Sequence, residues 1–173
     1  MESTLQDQDK LFMTDLFYTP ERGDIVIIDN DASHTFDENG NLVSKAANSV
    51  VIENCSNNHA EINAIKEAQM KLATYDLSSY NLSIYITAEP CMMCVGAIMW
   101  SGIKNVYYSV PSETVEKITG FDEGFKPSWL KEFKKRGIAV YGNIEAKLGE
   151  VELKQYVQTG KKIYKPERKQ QKT

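Results

Sequence analysis

His59-Ala60-Glu61 and Pro90-Cys91-Met92-Met93-Cys94 constrain this chain more than any other feature, because their side chains share a use only if the fold brings two separated segments to one point. His, Cys and Cys are residue types that bind zinc, and a catalytic zinc keeps three such ligands while leaving a fourth position for water. His59, Cys91 and Cys94 would be the ligands, one zinc per chain. Glu61 stands two residues from His59, close enough to sit over the open position and move protons without occupying the metal.

The local patterns say how each motif is held. After Glu61, Ile62, Ile65, Ala68 and Leu72 recur at helical spacing, so His59 and Glu61 fall at the first turn of a helix. Pro90 suits a first helical position, Cys91 and Cys94 form an i, i+3 pair on one face, and Val95, Ile98 and Met99 continue an apolar stripe. Both motifs therefore open helices, and helix N-termini favour the thiolate form that binds metal.

Other uses of the same residues compete. The C-x-x-C pair alone could be a redox pair, but that leaves His59 and Glu61 as coincidence. Cys55, one helical turn before His59, could complete a closed Cys₃His structural site with no room for water. The four residues could also be an ordinary histidine, two buried cysteines and a solvated glutamate. Finally, a zinc could be held without turnover, which would make the chain a binding module.

The order of elements follows from periodicity and turn residues. A short helix is expected at 11–17, strands at 24–29 and 42–52, the histidine helix, a strand at 82–87, the cysteine helix, strands at 105–110 and 139–144, and a closing helix at 149–158. Residues 30–41 read as a long acidic loop, with His34 a surface residue rather than a ligand. Strands alternating with helices after an opening hairpin imply a mixed α/β sheet covered on both faces. A length of 173 residues with 42% hydrophobic content suits one domain over 1–160. A basic tail follows at 161–173.

No segment is apolar enough to span a membrane, and the first residues have neither a basic nor an apolar leader region, so the expected address is cytoplasmic. Three cysteines, two of them needed as thiolates, also suit a reducing compartment. A net charge of −4 and a pI of 5.3 argue against a protein that draws its affinity from phosphate neutralisation. The basic tail keeps a nucleic-acid partner open all the same.

H-x-E followed by P-C-x-x-C is the zinc-deaminase signature. Over residues 24–143 the chain resembles the cytidine-deaminase-like superfamily, in its purine branch of guanine deaminases and bacterial tRNA adenosine deaminases. The likeness is densest at Thr87-Ala88-Glu89-Pro90-Cys91 and Gly96-Ala97-Ile98-Met99-Trp100. It implies a three-layer α/β/α fold with a five-stranded mixed sheet, a small-molecule purine substrate and a homodimer.

The same resemblance assigns roles to individual residues. Asn48, eleven residues before His59, would contact the base, and the backbone N–H of Ala60 would meet a substrate acceptor. Glu123, with Asp122 as second choice, would reach the N–H edge of guanine from the Gly120-Phe121-Asp122-Glu123 segment. Trp100 would wall the pocket against a stacked base, or else fill the core at helical spacing from Val95 and Met99. The resulting expectation is hydrolytic deamination of guanine to xanthine and ammonia, with a tRNA adenosine or another nucleoside or cytosine as the alternative substrate.

Overall fold

The computed structural model describes residues 32–122, 124, 125 and 127–164. The helix expected at 11–17 and the strand expected at 24–29 lie outside these residues.

The described chain begins with a hairpin of β1 (Ala32–Phe36) and β2 (Leu42–Ala47), paired antiparallel with an irregularity between Thr35 and Phe36. This corrects the long loop expected over 30–41, since β1 runs through it and only a tight turn remains. Apolar alternation does not mark β1, because its helix-facing positions are Ser33 and Thr35, both almost fully buried. The Thr35 hydroxyl donates to Ser44 Oγ at 2.6 Å, and Ser44 donates onward to the backbone oxygen of Ala64 at 2.8 Å. The turn is closed by Asp37, whose Oδ1 accepts the Asn39 and Asn41 N–H groups, while Gly40 supplies the positive φ of 75°.

β2 ends at Ala47 and not at 52. Asn48 Oδ1 accepts the N–H of Val50 at 3.1 Å, which opens a single helical turn, α1 (Val50–Glu53). The chain then enters α2 (Ala60–Lys71), β3 (Ser83–Ala88), α3 (Met92–Ser101) and β4 (Asn105–Val110), close to the expected bounds.

Motif spacing predicts no element between the last two strands, where the structure places α4 (Ser112–Thr119) and α5 (Trp129–Lys135). Geometry requires such a connection, because β5 (Ala139–Tyr141) is parallel to β4 and a hairpin cannot join parallel neighbours. The closing helix α6 starts earlier than expected and covers Ala146–Gln158.

The sheet order is β2-β1-β3-β4-β5, with β1 antiparallel to both neighbours and β3, β4 and β5 parallel. The mixed five-stranded sheet is as the alternation implied. On one face Ile84, Ile86 and Val106 pack with Ile65 and Ala68 of α2, Val95 and Ile98 of α3, and Trp129 and Phe133 of α5. Each fully buried Ile or Val here contributes about 1.5–3 kcal/mol through removal from water.

The opposite face carries a ladder of Tyr85, Tyr107 and Tyr141, paired in register and stacked at centroid distances of 4.5 and 4.7 Å, with Phe36 edge-on to Tyr85 at 5.2 Å. α6 lies over the end of β4 on this side, against Ser109 and Val110, and α4 packs on α6. Among the described residues no helix is long and apolar enough to cross a membrane.

The candidate metal centre and its cavity

Both expected motifs sit at helix N-termini, and the sheet brings those termini together. His59 is the cap residue of α2 and Cys91 that of α3, each in extended backbone conformation. Pro90 was expected as a first helical residue; it lies one position before the cap instead, and Val95 N–H to Cys91 O at 2.8 Å closes the first turn. Cys94 follows one turn later, fully buried.

His59 Nδ1 is 3.6 Å from each of the two sulfurs, and the sulfurs are 3.6 Å from each other. Tetrahedral zinc at its usual bond lengths sets N–S and S–S separations of about 3.6 and about 3.8 Å. The donor set and its spacing therefore fit zinc with three protein ligands. Cys55 is not among the clustered donors, and its backbone instead shapes the turn that delivers His59, through N–H to Val50 O and carbonyl to Asn58 N–H. The closed Cys₃His alternative is not what the chain builds.

The two thiols lie in opposite electrostatic settings. A hydrogen bond from the Cys94 thiol, opposed by burial and helped by His59, holds Cys91 down at about 4. The same bond, burial and the negative charge of Glu61 push the Cys94 thiol up. Thiols bind zinc as thiolates, so zinc uptake here would release protons.

Glu61 lies in the first turn of α2, is buried, and lines a cavity of about 580 Å³ together with His59, Cys91 and Asn48. Asn48 is held there from both sides. Its own Oδ1 binds Val50 N–H, while Asn63 of α2 reaches across with its amide nitrogen to Ala47 O at 3.0 Å and Ser49 Oγ at 3.1 Å. Ala60 is the first residue of α2, buried and lying between the cavity residues His59 and Glu61 in sequence, and its backbone N–H belongs to the first turn, whose N–H groups have no partner within the helix.

Two expected substrate contacts are not at the cavity. Trp100 is 86% exposed and neither walls the cavity nor fills the core, because on α3 it lies on the side facing away from the buried Val95 and Ile98. Asp122 is exposed, and its Oδ1 is occupied by the N–H of Gly124 at 2.7 Å, which makes it a turn residue. Glu123 lies outside the described residues.

Other residues line the cavity without having been assigned a role from the sequence. Val115 and Thr119 come from α4 and Phe121 follows it, Leu153 and Tyr156 come from α6, and Ile163 and Tyr164 come from the stretch expected as a separate tail. The amphipathic spacing of α4 and α6 was the one clue available to them. Glu89, beside the cysteine motif, also lines the cavity, and both its carboxylate oxygens are engaged, with Ser112 N–H at 3.0 Å and Trp129 Nε1 at 3.1 Å.

The model of the cytidine and deoxycytidylate deaminase zinc-binding region matches residues 32–110, which hold all three candidate ligands and Glu61. Among curated relatives, a tRNA-specific adenosine deaminase of Buchnera aphidicola subsp. Schizaphis graminum is 34% identical over 62% of this chain and 67% of its own. A guanine deaminase of Bacillus subtilis is 35% identical over 51% of this chain and 54% of its own, so the chain spans only about half of that relative. Among solved structures, guanine deaminase from Nitrosomonas europaea is 38% identical with a TM-score of 0.69, covering 72% of this chain and 71% of that one. The structure of NE0047 in complex with 2,6-diaminopurine is 37% identical with a TM-score of 0.72, covering 78% of this chain and 73% of that one.

Proposed function

This chain belongs to the cytidine and deoxycytidylate deaminase zinc-binding family, and we propose that it hydrolytically deaminates a purine base, with guanine, converted to xanthine and ammonia, as its substrate. The observation that carries the reading is the convergence of His59, Cys91 and Cys94 with Glu61 and Asn48 at one cavity.

His59, Cys91 and Cys94 would hold the metal, and zinc bound there supplies Lewis-acid activation of water at neutral pH. Glu61 then has the position of the proton carrier. It would take one proton from the attacking water as the new C–O bond forms at the amino-bearing carbon and pass it to the ring nitrogen, then take the second proton from the resulting C–OH and pass it to the amine as the C–N bond breaks and the C=O bond forms. Water is consumed and ammonia leaves, so no further reactant is needed.

Asn48 orients the base by hydrogen bonding, and the Ala60 N–H faces an acceptor on it. Glu123 would accept from the N–H edge of guanine, a role that rests on the sequence resemblance. The apolar walls of Phe121, Leu153 and Tyr156 suit a planar heterocycle. Guanine is favoured over other bases by the guanine deaminases among the relatives and by the 2,6-diaminopurine held by NE0047.

A tRNA adenosine is the second reading, favoured by the Buchnera relative and by Lys161 and Lys162 at the cavity. The net charge of −4 weighs against it. A cytoplasmic homodimer completes the proposal. Trp100 on α3 and Met70 on α2 stand 86% and 71% exposed, apolar surface that a second copy would cover.

The test is ammonia release from a panel of guanine, adenine, cytosine, their nucleosides and a tRNA anticodon stem-loop. Guanine turnover that disappears in Glu61→Gln, with one zinc retained, is the expected result. Activity only on the stem-loop selects the second reading, and silence across the panel leaves a nucleobase-binding module. Light scattering of the same sample gives the oligomer.

A further inference from the structure

Glu89 precedes Pro90 and Cys91, and its hydrogen bonds lead away from the metal ligands to three other elements. Its N–H donates to Val110 O at 2.8 Å, where β4 ends. Its Oε2 accepts the N–H of Ser112 at 3.0 Å, the first residue of α4, and its Oε1 accepts the indole N–H of Trp129 at 3.1 Å, the first residue of α5. The next residue is a proline with its φ locked, so the cap residue Cys91 hangs one rigid link from this junction.

We propose that Glu89 is a positioning residue that clamps the cysteine turn to the starts of α4 and α5, and thereby sets the place of Cys91 relative to His59 and to the α4 wall of the cavity. The inference rests on the zinc reading of the site. Nothing in it requires Glu89 to touch metal or substrate.

The chemistry of the clamp is specific to a carboxylate. Two N–H donors converge on two oxygens, one each, and a carboxylate is acceptor-only. Glutamine has a single acceptor oxygen, so in either amide orientation its NH₂ faces Ser112 N–H or Trp129 Nε1–H, donor against donor. Removing one donor removes the conflict. In Glu89→Gln paired with Trp129→Phe, the amide oxygen can serve Ser112 while the NH₂ faces carbon.

Cys91 then loses its fixed place in Glu89→Gln and regains it in the double variant. Zinc affinity is measured by chelator competition on the purified full chain, and the thiolate-to-metal charge-transfer band is recorded after cobalt(II) substitution. Glu89→Gln should weaken zinc about tenfold or more and shift the cobalt spectrum. The Glu89→Gln/Trp129→Phe protein should recover both, and Trp129→Phe alone should stay nearer the parent than Glu89→Gln does. Parental affinity and spectrum in Glu89→Gln overturn the proposal, and so does a double variant no better than Glu89→Gln.

Should Glu89→Gln fail to fold, Glu89→Asp serves in its place. It keeps the charge and both oxygens but falls one methylene short of the donors, so it must also lose zinc affinity, and unchanged affinity counts against the clamp. A parent protein that takes up no zinc would instead refute the function proposed above, before any variant is made.

Discussion

Thr35 and Ser44 face each other across the first hairpin with their hydroxyl oxygens 2.6 Å apart, both buried, and the Ser44 hydroxyl donates a hydrogen bond to the carbonyl of Ala64 in α2. The chain uses this relay where most sheets use aliphatic contact, and it fixes the hairpin against the helix that begins at His59. Ser44→Ala removes the middle of the relay and strands the Thr35 hydroxyl in an apolar layer, so it should cost about 1–3 kcal/mol. Thr35→Val combined with Ser44→Ala removes both polar groups and should cost less than the sum of the single changes. Urea unfolding of the four proteins closes the cycle; strictly additive losses would mean the hydroxyls do not act as a pair.

That relay also explains what could be read in advance. His59, Glu61, Cys91 and Cys94 were legible because metal chemistry restricts residue type, and the helices behind them announce themselves through Ile65, Ala68, Val95 and Ile98. β1 was hidden because Ser33 and Thr35 occupy its buried face, so the period-2 signal is absent where it should be strongest. Trp100 shows the opposite failure. Its spacing from Val95 and Met99 suggested burial, yet the helix turns it to solvent, and an aromatic side chain announces size without direction. Tyr156 and Tyr164 reach the cavity from segments remote in sequence, and only tertiary structure puts them there.

Tyr156 tests the wall of the cavity. It stands on α6 beside Leu153, facing the space that also holds Glu61 and Asn48. An aromatic contact with a planar base is worth about 0.5–1.5 kcal/mol, so Tyr156→Ala should raise KM for guanine roughly 2- to 10-fold with kcat less affected. Tyr156→Phe should keep most of the affinity. Steady-state kinetics decide it, and an unchanged KM in Tyr156→Ala would remove α6 from substrate binding.

Asp37 gives the hairpin turn a pH dependence. Hydrogen bonds from the Asn41 side chain, then from backbone N–H groups, hold its carboxyl below the ordinary aspartate value. A lowered folded-state pKa means stabilisation that is present above the unfolded value of about 3.9 and is lost as the pH falls through the folded one. Asp37→Ala should therefore lower Tm at pH 7 by about 2 °C, a small figure because the group is exposed and screened. The difference should shrink towards pH 3. Thermal melts across that range check it, and a Tm gap that is constant with pH would show that the carboxylate charge is not what holds the turn.

Gly149 holds α6 at its distance from the sheet. It is buried inside the helix, where alanine would ordinarily be better by about 1 kcal/mol. Here a Cβ would lie 2.5 Å from Val110 Cγ2 and 2.6 Å from Ser109 Oγ, distances at which one partner must move. Both neighbours sit at the end of β4, two and three residues from the Ser112 N–H that Glu89 accepts, so the strand has little freedom to retreat. The helix is the element that shifts, and it carries Glu152, Leu153 and Tyr156 away from the cavity with it. Overpacking outweighs helix propensity on these magnitudes, so Gly149→Ala should destabilise the protein by about 1–3 kcal/mol and raise KM in parallel. Ser109→Gly in the same chain removes one of the two obstructing side chains and should restore part of both losses. Denaturation and kinetics on the single and double variants separate the cases: a Gly149→Ala protein as stable as its parent would mean that α6 is free to ride outward without cost, and that the wall it bears is not set by this contact.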